Sequence, residues 1–161
     1  MLKHAKGNLI DMAENGDFDF VVHGCNYQNT MGSGFAKELR ARYPAVYEAD
    51  TLATKQWREP VAKLGNFSSY TTVNKKGDAL SFINAYTQLH YLPRGIDHFE
   101  YESFYLILRK LASFKNARFG FPYIGMGLAG GNSERIISLI SNFADSISEF
   151  NSEVTLVEFA Q

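Results

Sequence analysis

Two glycine-rich loops have residue types and spacing that suit the binding of phosphate groups. The first loop ends in Gly32, Ser33 and Gly34, and the second contains Gly125, Gly127, Gly130 and Gly131. Glycine lets backbone N–H groups approach a ligand closely, and a helix N-terminus adds a partial positive charge. Either loop alone could be a turn that needs glycine only for positive φ or close packing. Two loops of the same design favour a diphosphate held from both sides.

The second loop also matches the spacing of the dinucleotide fingerprint G-x-G-x-x-G through Gly125, Gly127 and Gly130. That fingerprint normally opens a βαβ unit and is followed by an acidic residue at the end of the next strand. Here it precedes the last predicted helix, and the nearest acidic candidate, Glu158, comes late. An NAD-dependent oxidoreductase is therefore a distant alternative. Neither loop ends in the Gly-Lys-Ser or Gly-Lys-Thr of a Walker-type phosphate loop.

The elements that flank the loops alternate between strand and helix. An apolar run over 17–26 predicts a buried strand before the first loop, and good helix formers over 35–42 predict a helix that Pro44 stops. A hairpin is predicted from 64–73 and 79–88 around a polar turn. Periodicity and composition then predict a helix over 101–114, a strand over 117–123, a helix from Asn132 or Ser133 to Phe150, and a strand over 154–160. This alternation predicts an α/β fold, a three-layer α/β/α domain with a central mixed β-sheet.

Composition sets the class of protein. The 161 residues are 45% hydrophobic and 20% charged with a formal net charge of -1, a globular profile without general attraction for a polyanion. With one cysteine, Cys25, no internal disulfide or thiolate zinc site is available, which favours a reducing compartment. No apolar stretch has the length of a signal peptide or a membrane span. We therefore expect one domain, 1–161, in the cytoplasm, with no membrane partner.

Four motifs together resemble the macrodomain family. They are the strand end with His23, Cys25 and Asn26, the glycine triplet that begins six positions after Asn26, the Arg42-Tyr43-Pro44 that follows the predicted helix, and the second loop PYIGMGLAGG. KGNLI near the start resembles the family's element at the adenine. The resemblance runs from Lys6 to Phe159 and is closest to the branch that contains the yeast-type ADP-ribose-1''-phosphate phosphatase.

The resemblance implies an ADP-ribose site and assigns residues to it. Asn8 and Leu9 would meet the adenine, although many macrodomains have a charged aspartate where Asn8 stands. Phe159 would stack on the base, or is alternatively an apolar residue that closes the last strand. The distal ribose and diphosphate would be lined by Gly32, Ser33, Gly34 and Phe35 on one side and by Ile124, Gly125, Met126, Gly127 and Leu128 on the other.

His23 and Asn26 are the candidate catalytic residues. A histidine can move a proton near neutral pH, and the Asn26 amide can hold the distal ribose hydroxyls. Residues three apart on a strand face opposite sides, so the two converge only if the strand end bends, as Gly24 allows. Alternatively, His23 is a core histidine that hydrogen-bonds to the backbone. Cys25 is expected to be a buried small residue and not a nucleophile.

The activity implied is hydrolysis of ADP-ribose-1''-phosphate or removal of ADP-ribose from modified macromolecules, by a monomer that needs no metal or cofactor. A lysine-adduct mechanism of a related branch is not supported, because Thr87 or Gln88 and Ala129 stand where its lysine and aspartate would be. A reader that binds ADP-ribose without turning it over remains open. Nucleic-acid binding through Lys37, Arg40 and Arg42 is the weakest alternative, since Glu38 and the near-neutral net charge suggest a solvated helix face.

Overall fold

Six β-strands pair into one mixed sheet in a computed structural model that describes residues 1–26, 28, 31, 34–90, 96–124 and 130–160. The strands are β1 (Lys3–Gly7), β2 (Phe20–Asn26), β3 (Phe67–Val73), β4 (Ala79–Gln88), β5 (Arg118–Phe121) and β6 (Glu153–Phe159). Their order across the sheet is β1-β6-β5-β2-β4-β3. All neighbours are parallel except β3, which pairs antiparallel with β4 as the outer strand of the predicted hairpin. The carboxyl ends of the five parallel strands therefore share one edge of the sheet.

Helices cover both faces of the sheet. They are α1 (Leu9–Glu14), α2 (Gly34–Arg42), α3 (Pro44–Gln56), α4 (Pro60–Lys63), α5 (Tyr101–Leu111) and α6 (Ser133–Ile147), the last followed by a short 3-10 helix, Ser148–Phe150. Apolar residues of α1, α2 and α3 are buried with Val21 and Phe82, whereas those of α5 and α6 are buried with Val22 and Ile83. Since adjacent residues of a strand face opposite sides, these pairs define two cores. The predicted three-layer α/β/α architecture is confirmed.

Helix α6 shows how the sequence fixes one of these layers. The side-chain oxygen of Asn132 accepts a hydrogen bond from the backbone N–H of Arg135 at 3.1 Å and so caps the helix. The residues spaced for one face, Ile136, Ile140, Phe143, Ala144 and Ile147, are all buried. Full burial of each large apolar side chain contributes about 1.5–3 kcal/mol, so this face holds the helix on the sheet.

Among the described elements, four were not predicted from the sequence. They are β1, α1, α3 and the four-residue helix α4. Pro44 does separate two segments as expected, but it occupies the first turn of α3, where the missing N–H of proline has no cost. The predicted helix over 101–114 ends at Leu111.

None of the helices in the described ranges is long and apolar enough to cross a membrane.

Candidate functional site

The carboxyl edge of the sheet gathers the described residues that the sequence assigned to a ligand site. Asn8 directly follows β1, Asn26 ends β2, Ile124 follows β5, and Phe159 ends β6. In parallel α/β sheets ligands bind at this edge, where loops leave the strands. The structure therefore brings these residues to one edge of the sheet.

Asn8 lies at the N-terminus of α1 with both ends of its amide engaged. Its Oδ1 accepts from the backbone N–H of Asp11 at 3.1 Å, and its Nδ2 donates to Glu38 Oε1 on α2 at 3.2 Å. A carbonyl oxygen has two lone pairs, so Oδ1 can accept one further hydrogen bond. Leu9 is buried in the core, so its side chain is not available to a ligand and only its backbone is.

Phe159 lies beside Asn8 across the sheet. Its register partner on β1 is Gly7, the residue before Asn8, and Ala160 N–H donates to Gly7 O at 3.1 Å. The ring is 64% exposed although it ends a strand that is otherwise largely buried. The exposed ring offers an aromatic face on which a planar base could stack.

Gly34 begins α2 in the left-handed region, with φ of +57°. A Cβ placed on it would meet nothing within 4 Å, so glycine is required by the backbone conformation and not by packing. The backbone here is open at the N-terminus of a nine-residue helix, where the partial positive charge favours an anion. The next residue, Phe35, places its ring edge toward His23 with the centroids 5.7 Å apart.

Asn26 stands where β2 departs from regular pairing. The register with β4 shifts between Cys25 and Asn26, so the pairing is irregular at this strand end. The Asn26 Oδ1 accepts from the backbone N–H of Gln28 at 2.9 Å, which holds the chain in a turn as it leaves the sheet. The side chain is half-buried.

His23 is buried on the side of the sheet covered by α2 and α3, with 2% of its surface exposed. Its Nε2 lies 2.6 Å from Oδ1 of Asn84 on β4. Burial lowers the pKa of His23 from its ordinary value, against smaller opposing effects of the Asn84 hydrogen bond and the Asp50 charge. The ring is therefore neutral at pH 7, and its partner is a side-chain amide and not the backbone.

Gly24 explains how Ile124 reaches the site. A Cβ on Gly24 would lie 2.9 Å from Ile124 Cγ1 and 3.0 Å from Thr87 Oγ1, so only glycine lets these two side chains pack across β2. Thr87 is fully buried, and its hydroxyl has no hydrogen-bond partner among the described residues. The start of the second loop is thereby fixed against the end of β2.

Several predicted ligand-binding residues lie outside the described residues. They are Gly32, Ser33, Gly125, Met126, Gly127 and Leu128. The second loop is described again from Gly130, whose φ is +71° and whose position for a Cβ is only 2.6 Å from the carbonyl oxygen of Ile96. Glycine is required there by both conformation and close approach.

A cluster of buried polar residues beneath the site was missed by sequence reasoning. Asp50 on α3 and Lys63 on α4 form an ion pair of 3.1 Å with both side chains 1% exposed, and Lys63 Nζ lies 4.1 Å from the ring centroid of Tyr86. Burial raises the pKa of the Cys25 thiol well above its ordinary value, with the Asp50 charge adding to the effect. Cys25 is therefore a protonated, buried thiol. The sequence offers no signal for such a cluster beyond one lysine at the end of a four-residue helix.

The basic residues of α2 are largely occupied. Arg42 Nη1 lies 2.8 Å from Asp11 and 3.5 Å from Glu38, and its Nη2 lies 2.8 Å from Glu14. The Arg40 guanidinium lies 3.6 Å from the centre of the Tyr47 ring. The carboxylates neutralise Arg42, and Arg40 is engaged by an uncharged ring, so two of the three basic residues considered for nucleic-acid binding already have partners. The described residues contain no group of three or more histidine, cysteine or acidic side chains placed to hold a metal.

Comparison with known proteins places this geometry in a family. No family model matches the sequence. The uncharacterized 17.5 kDa protein in the tk-vs intergenic region of Enterobacteria phage T4 is 30% identical over 164 aligned positions, which cover 99% of this chain and 97% of the phage protein. The chain belongs to the family of this phage protein.

Several solved structures similar to this chain are macrodomains, and others are proteins of unknown function. A protein of unknown function from Bacteroides thetaiotaomicron has a TM-score of 0.79 at 24% identity, with 98% of both chains covered. The macrodomain of Mycobacterium tuberculosis DarG has a TM-score of 0.69 at 18% identity over 98% of this chain and 97% of its own. Thermosipho africanus DarTG, in complex with ADP-ribose, has a TM-score of 0.63 at 15% identity over 91% of this chain and 39% of its own. The fold is thus the macrodomain fold.

Proposed function

We propose that this chain binds ADP-ribose at the carboxyl edge of its sheet and hydrolyses ADP-ribose-1''-phosphate or removes ADP-ribose from modified macromolecules. The observation that carries the proposal is the placement of Asn8, Gly34, Asn26 and Phe159 on one edge of a macrodomain fold. A similar solved structure, DarTG, holds ADP-ribose. In this proposal residues 1–161 act as one macrodomain and as a monomer in the cytoplasm.

The adenine would lie between Asn8 and Phe159. The remaining lone pair of Asn8 Oδ1 can accept from the exocyclic amino group of the base, and the exposed Phe159 ring offers a face for stacking. The Leu9 backbone follows directly and can contribute a polar contact, since its side chain is committed to the core.

The diphosphate would lie at the N-terminus of α2. Gly34 leaves the backbone open there, and we assign further backbone donors to Gly32 and Ser33 in the first loop. Ile124, Gly125, Met126, Gly127 and Leu128 are assigned to the opposite side of the diphosphate. Ile124 is buried against Gly24, so its side chain anchors the second loop rather than facing the phosphates.

Turnover would depend mainly on positioning. Asn26 would hold the distal ribose hydroxyls while a water molecule attacks the terminal phosphorus of ADP-ribose-1''-phosphate. A phosphorus–oxygen bond forms to the water, the bond from phosphorus to the ribose oxygen breaks, and the proton of the water ends on that oxygen. Preorganised dipoles and fixed orientation supply the rate enhancement. We propose the phosphatase activity because the sequence motifs resemble the yeast-type branch.

A reader without turnover is the second candidate, and the burial of His23 favours it. The ring is 2% exposed and its Nε2 is engaged by Asn84, so it is poorly placed to exchange a proton with a substrate. The same loops serve binding in both cases.

Two measurements test the proposal. Calorimetry should show that the protein binds ADP-ribose in preference to intact NAD; equal or stronger binding of NAD would contradict a macrodomain function. Incubation with ADP-ribose-1''-phosphate and with ADP-ribosylated protein and DNA should then release phosphate or ADP-ribose. Binding of ADP-ribose with no product from any substrate would leave only the second candidate, a reader without turnover.

Asn26 has two roles in this proposal, to hold the turn through the Gln28 N–H and to orient the ribose. Comparison of Asn26→Ala with Asn26→Asp separates them. Aspartate keeps an acceptor for the Gln28 N–H but loses the amide donor. If Asn26 orients the ribose, both variants should lose about tenfold or more in turnover, the equivalent of one hydrogen bond to the substrate. Unchanged turnover in both would remove Asn26 from the site.

A further inference from the structure

Asn84 is the centre of a buried hydrogen-bond network between β2, β3 and α3. The residue is fully buried on β4. Its Nδ2 donates to the backbone oxygen of Val46 at 3.0 Å and to Ser68 Oγ at 3.1 Å, and the Ser68 and Tyr86 hydroxyls are 2.7 Å apart. Both protons of the amide nitrogen therefore have acceptors, and these contacts determine which way the amide points.

The remaining atom of the amide, Oδ1, is the one that faces His23. An amide oxygen only accepts, so the hydrogen bond of 2.6 Å requires a proton on His23 Nε2. A neutral imidazole carries one proton, which leaves Nδ1 with a lone pair. We propose that Asn84 is a positioning residue that fixes His23 as the Nε2–H tautomer and leaves Nδ1 as an acceptor just before the end of β2.

The surroundings of the ring agree with a neutral imidazole. Cys25 Sγ lies 3.6 Å from Nε2 and 3.8 Å from Nδ1, so the thiol packs against the ring and is not in line with the Nδ1 lone pair, and Phe35 of α2 makes an edge contact with the ring. Burial lowers the pKa of His23. The Asp50 charge on α3 acts in the opposite direction, but Lys63 of α4 pairs with it.

This assignment changes what His23 can do in the proposed function. A neutral ring whose only proton is held by Asn84 cannot protonate a leaving group, and with 2% of the residue exposed its Nδ1 is withdrawn from a substrate. His23 therefore acts in the proposed function through its packing against Cys25 and Phe35. Phe35 follows Gly34 directly, and Cys25 precedes Asn26. His23 and Asn84 therefore support the neighbours of Gly34, which is proposed to meet the diphosphate, and of Asn26, which is proposed to meet the ribose. The part of this inference that concerns turnover rests on the proposed function, whereas the tautomer does not.

Long-range 1H–15N correlation spectra of the intact protein test the tautomer directly. The protein has four histidines. Replacing His4, His90 and His98 one at a time with glutamine identifies their signals, and the remaining one belongs to His23. We expect nitrogen shifts typical of a protonated Nε2 and an unprotonated Nδ1 at pH 7 and above. A proton on Nδ1, or a doubly protonated ring at pH 7, would overturn the inference.

Two substitutions of Asn84 test its role. Asn84→Asp places a carboxylate on Nε2, so the pKa of His23 should rise and its signals should titrate near neutral pH. Asn84→Leu removes the acceptor, and the ring should then exchange between tautomers. If both variants fail to fold, the wild-type spectrum still decides the question.

Turnover gives a readout that simple destabilisation would not reproduce. The wild-type pH–rate profile should have no limb that disappears in His23→Gln, whereas Asn84→Asp should gain a limb that follows the His23 titration. A wild-type limb that His23→Gln removes would overturn the positioning role. The Nε2–H tautomer in a protein that does not bind ADP-ribose would refute the proposed function and leave the tautomer assignment standing.

Discussion

The Asn8 amide donates to the Glu38 carboxylate at 3.2 Å while its oxygen caps α1 through the Asp11 N–H. The amide orientation is therefore fixed from both ends, and α1 is tied to α2 at the edge where the ligand is proposed to lie. Arg42 completes this link, because it forms ion pairs with Glu38 and Asp11.

Replacing Asn8 should separate capping from ligand binding. Asn8→Ala removes the cap and should lower the free energy of unfolding by about 1 kcal/mol, whereas Asn8→Ser can still cap. Both lose the amide, so both should weaken ADP-ribose binding about five- to tenfold, the value of one hydrogen bond. Urea unfolding and calorimetry measure the two effects. If Asn8→Ser binds like the wild type, Asn8 does not contact the base.

Gly34 and Gly77 form a matched pair for testing the first loop. Both have positive φ, +57° and +85°, and a Cβ on either would meet nothing within 4 Å. Alanine at each should cost about 1–2 kcal/mol through left-handed strain alone. Gly77 lies in the hairpin turn between β3 and β4, so only Gly34→Ala should also weaken ADP-ribose binding. Equal affinities for the two variants would place the diphosphate elsewhere.

The Lys63 and Asp50 pair should be costly to break from one side. Lys63→Met leaves a buried carboxylate without its partner, and one oxygen of Asp50 already has no hydrogen-bond partner among the described residues. We expect a loss of about 3–5 kcal/mol in urea unfolding. The double variant Lys63→Met, Asp50→Leu should be more stable than Lys63→Met alone, since the unpaired charge is gone. A double variant less stable than the single one would show that the unpaired carboxylate is not the cause of the loss.

His23 should make stability depend on pH. Its pKa is lowered in the folded protein, so below the ordinary value of 6.5 the unfolded chain binds a proton that the folded chain does not. Stability present above pH 6.5 should therefore decline as the pH falls below it, by at most about 1.4 kcal/mol per pH unit for one proton. Urea unfolding at a series of pH values measures the slope. His23→Asn should show a shallower slope over the same interval, and an identical slope would assign it to other groups.

The sequence predicted the layers of the fold well because local patterns encode them. The hairpin of β3 and β4 follows from a polar turn between β-branched and aromatic runs, and α6 follows from its cap and its apolar spacing. Segment α3 was missed because only Val46, Asp50 and Ala53 of its residues are buried, so its apolar face is weakly marked. An aspartate among those three also argues against a core face until Lys63 is known to lie beside it.

The residues of the candidate site were named from the sequence and their role in binding stays a prediction, whereas their surroundings could not be predicted. Asn26 lies at the end of a predicted strand, and Asn8 and Phe159 were assigned from the resemblance to macrodomains. The parallel sheet brings the three to one edge. The contact of His23 with Asn84 joins residues 61 positions apart, and nothing local in the sequence connects them. Its tautomer depends further on Val46 and Ser68, so it requires the three-dimensional structure.

The pairing of β1 with β6 sets the order in which the site is completed. Lys3 pairs with Thr155, so β1 has no neighbour in the sheet until β6 has been synthesised and folded. Asn8 and Phe159 are brought together by that same pairing. Closing so long a loop is slow relative to forming the hairpin of β3 and β4. A nascent chain would thus bring the proposed adenine-binding residues together last.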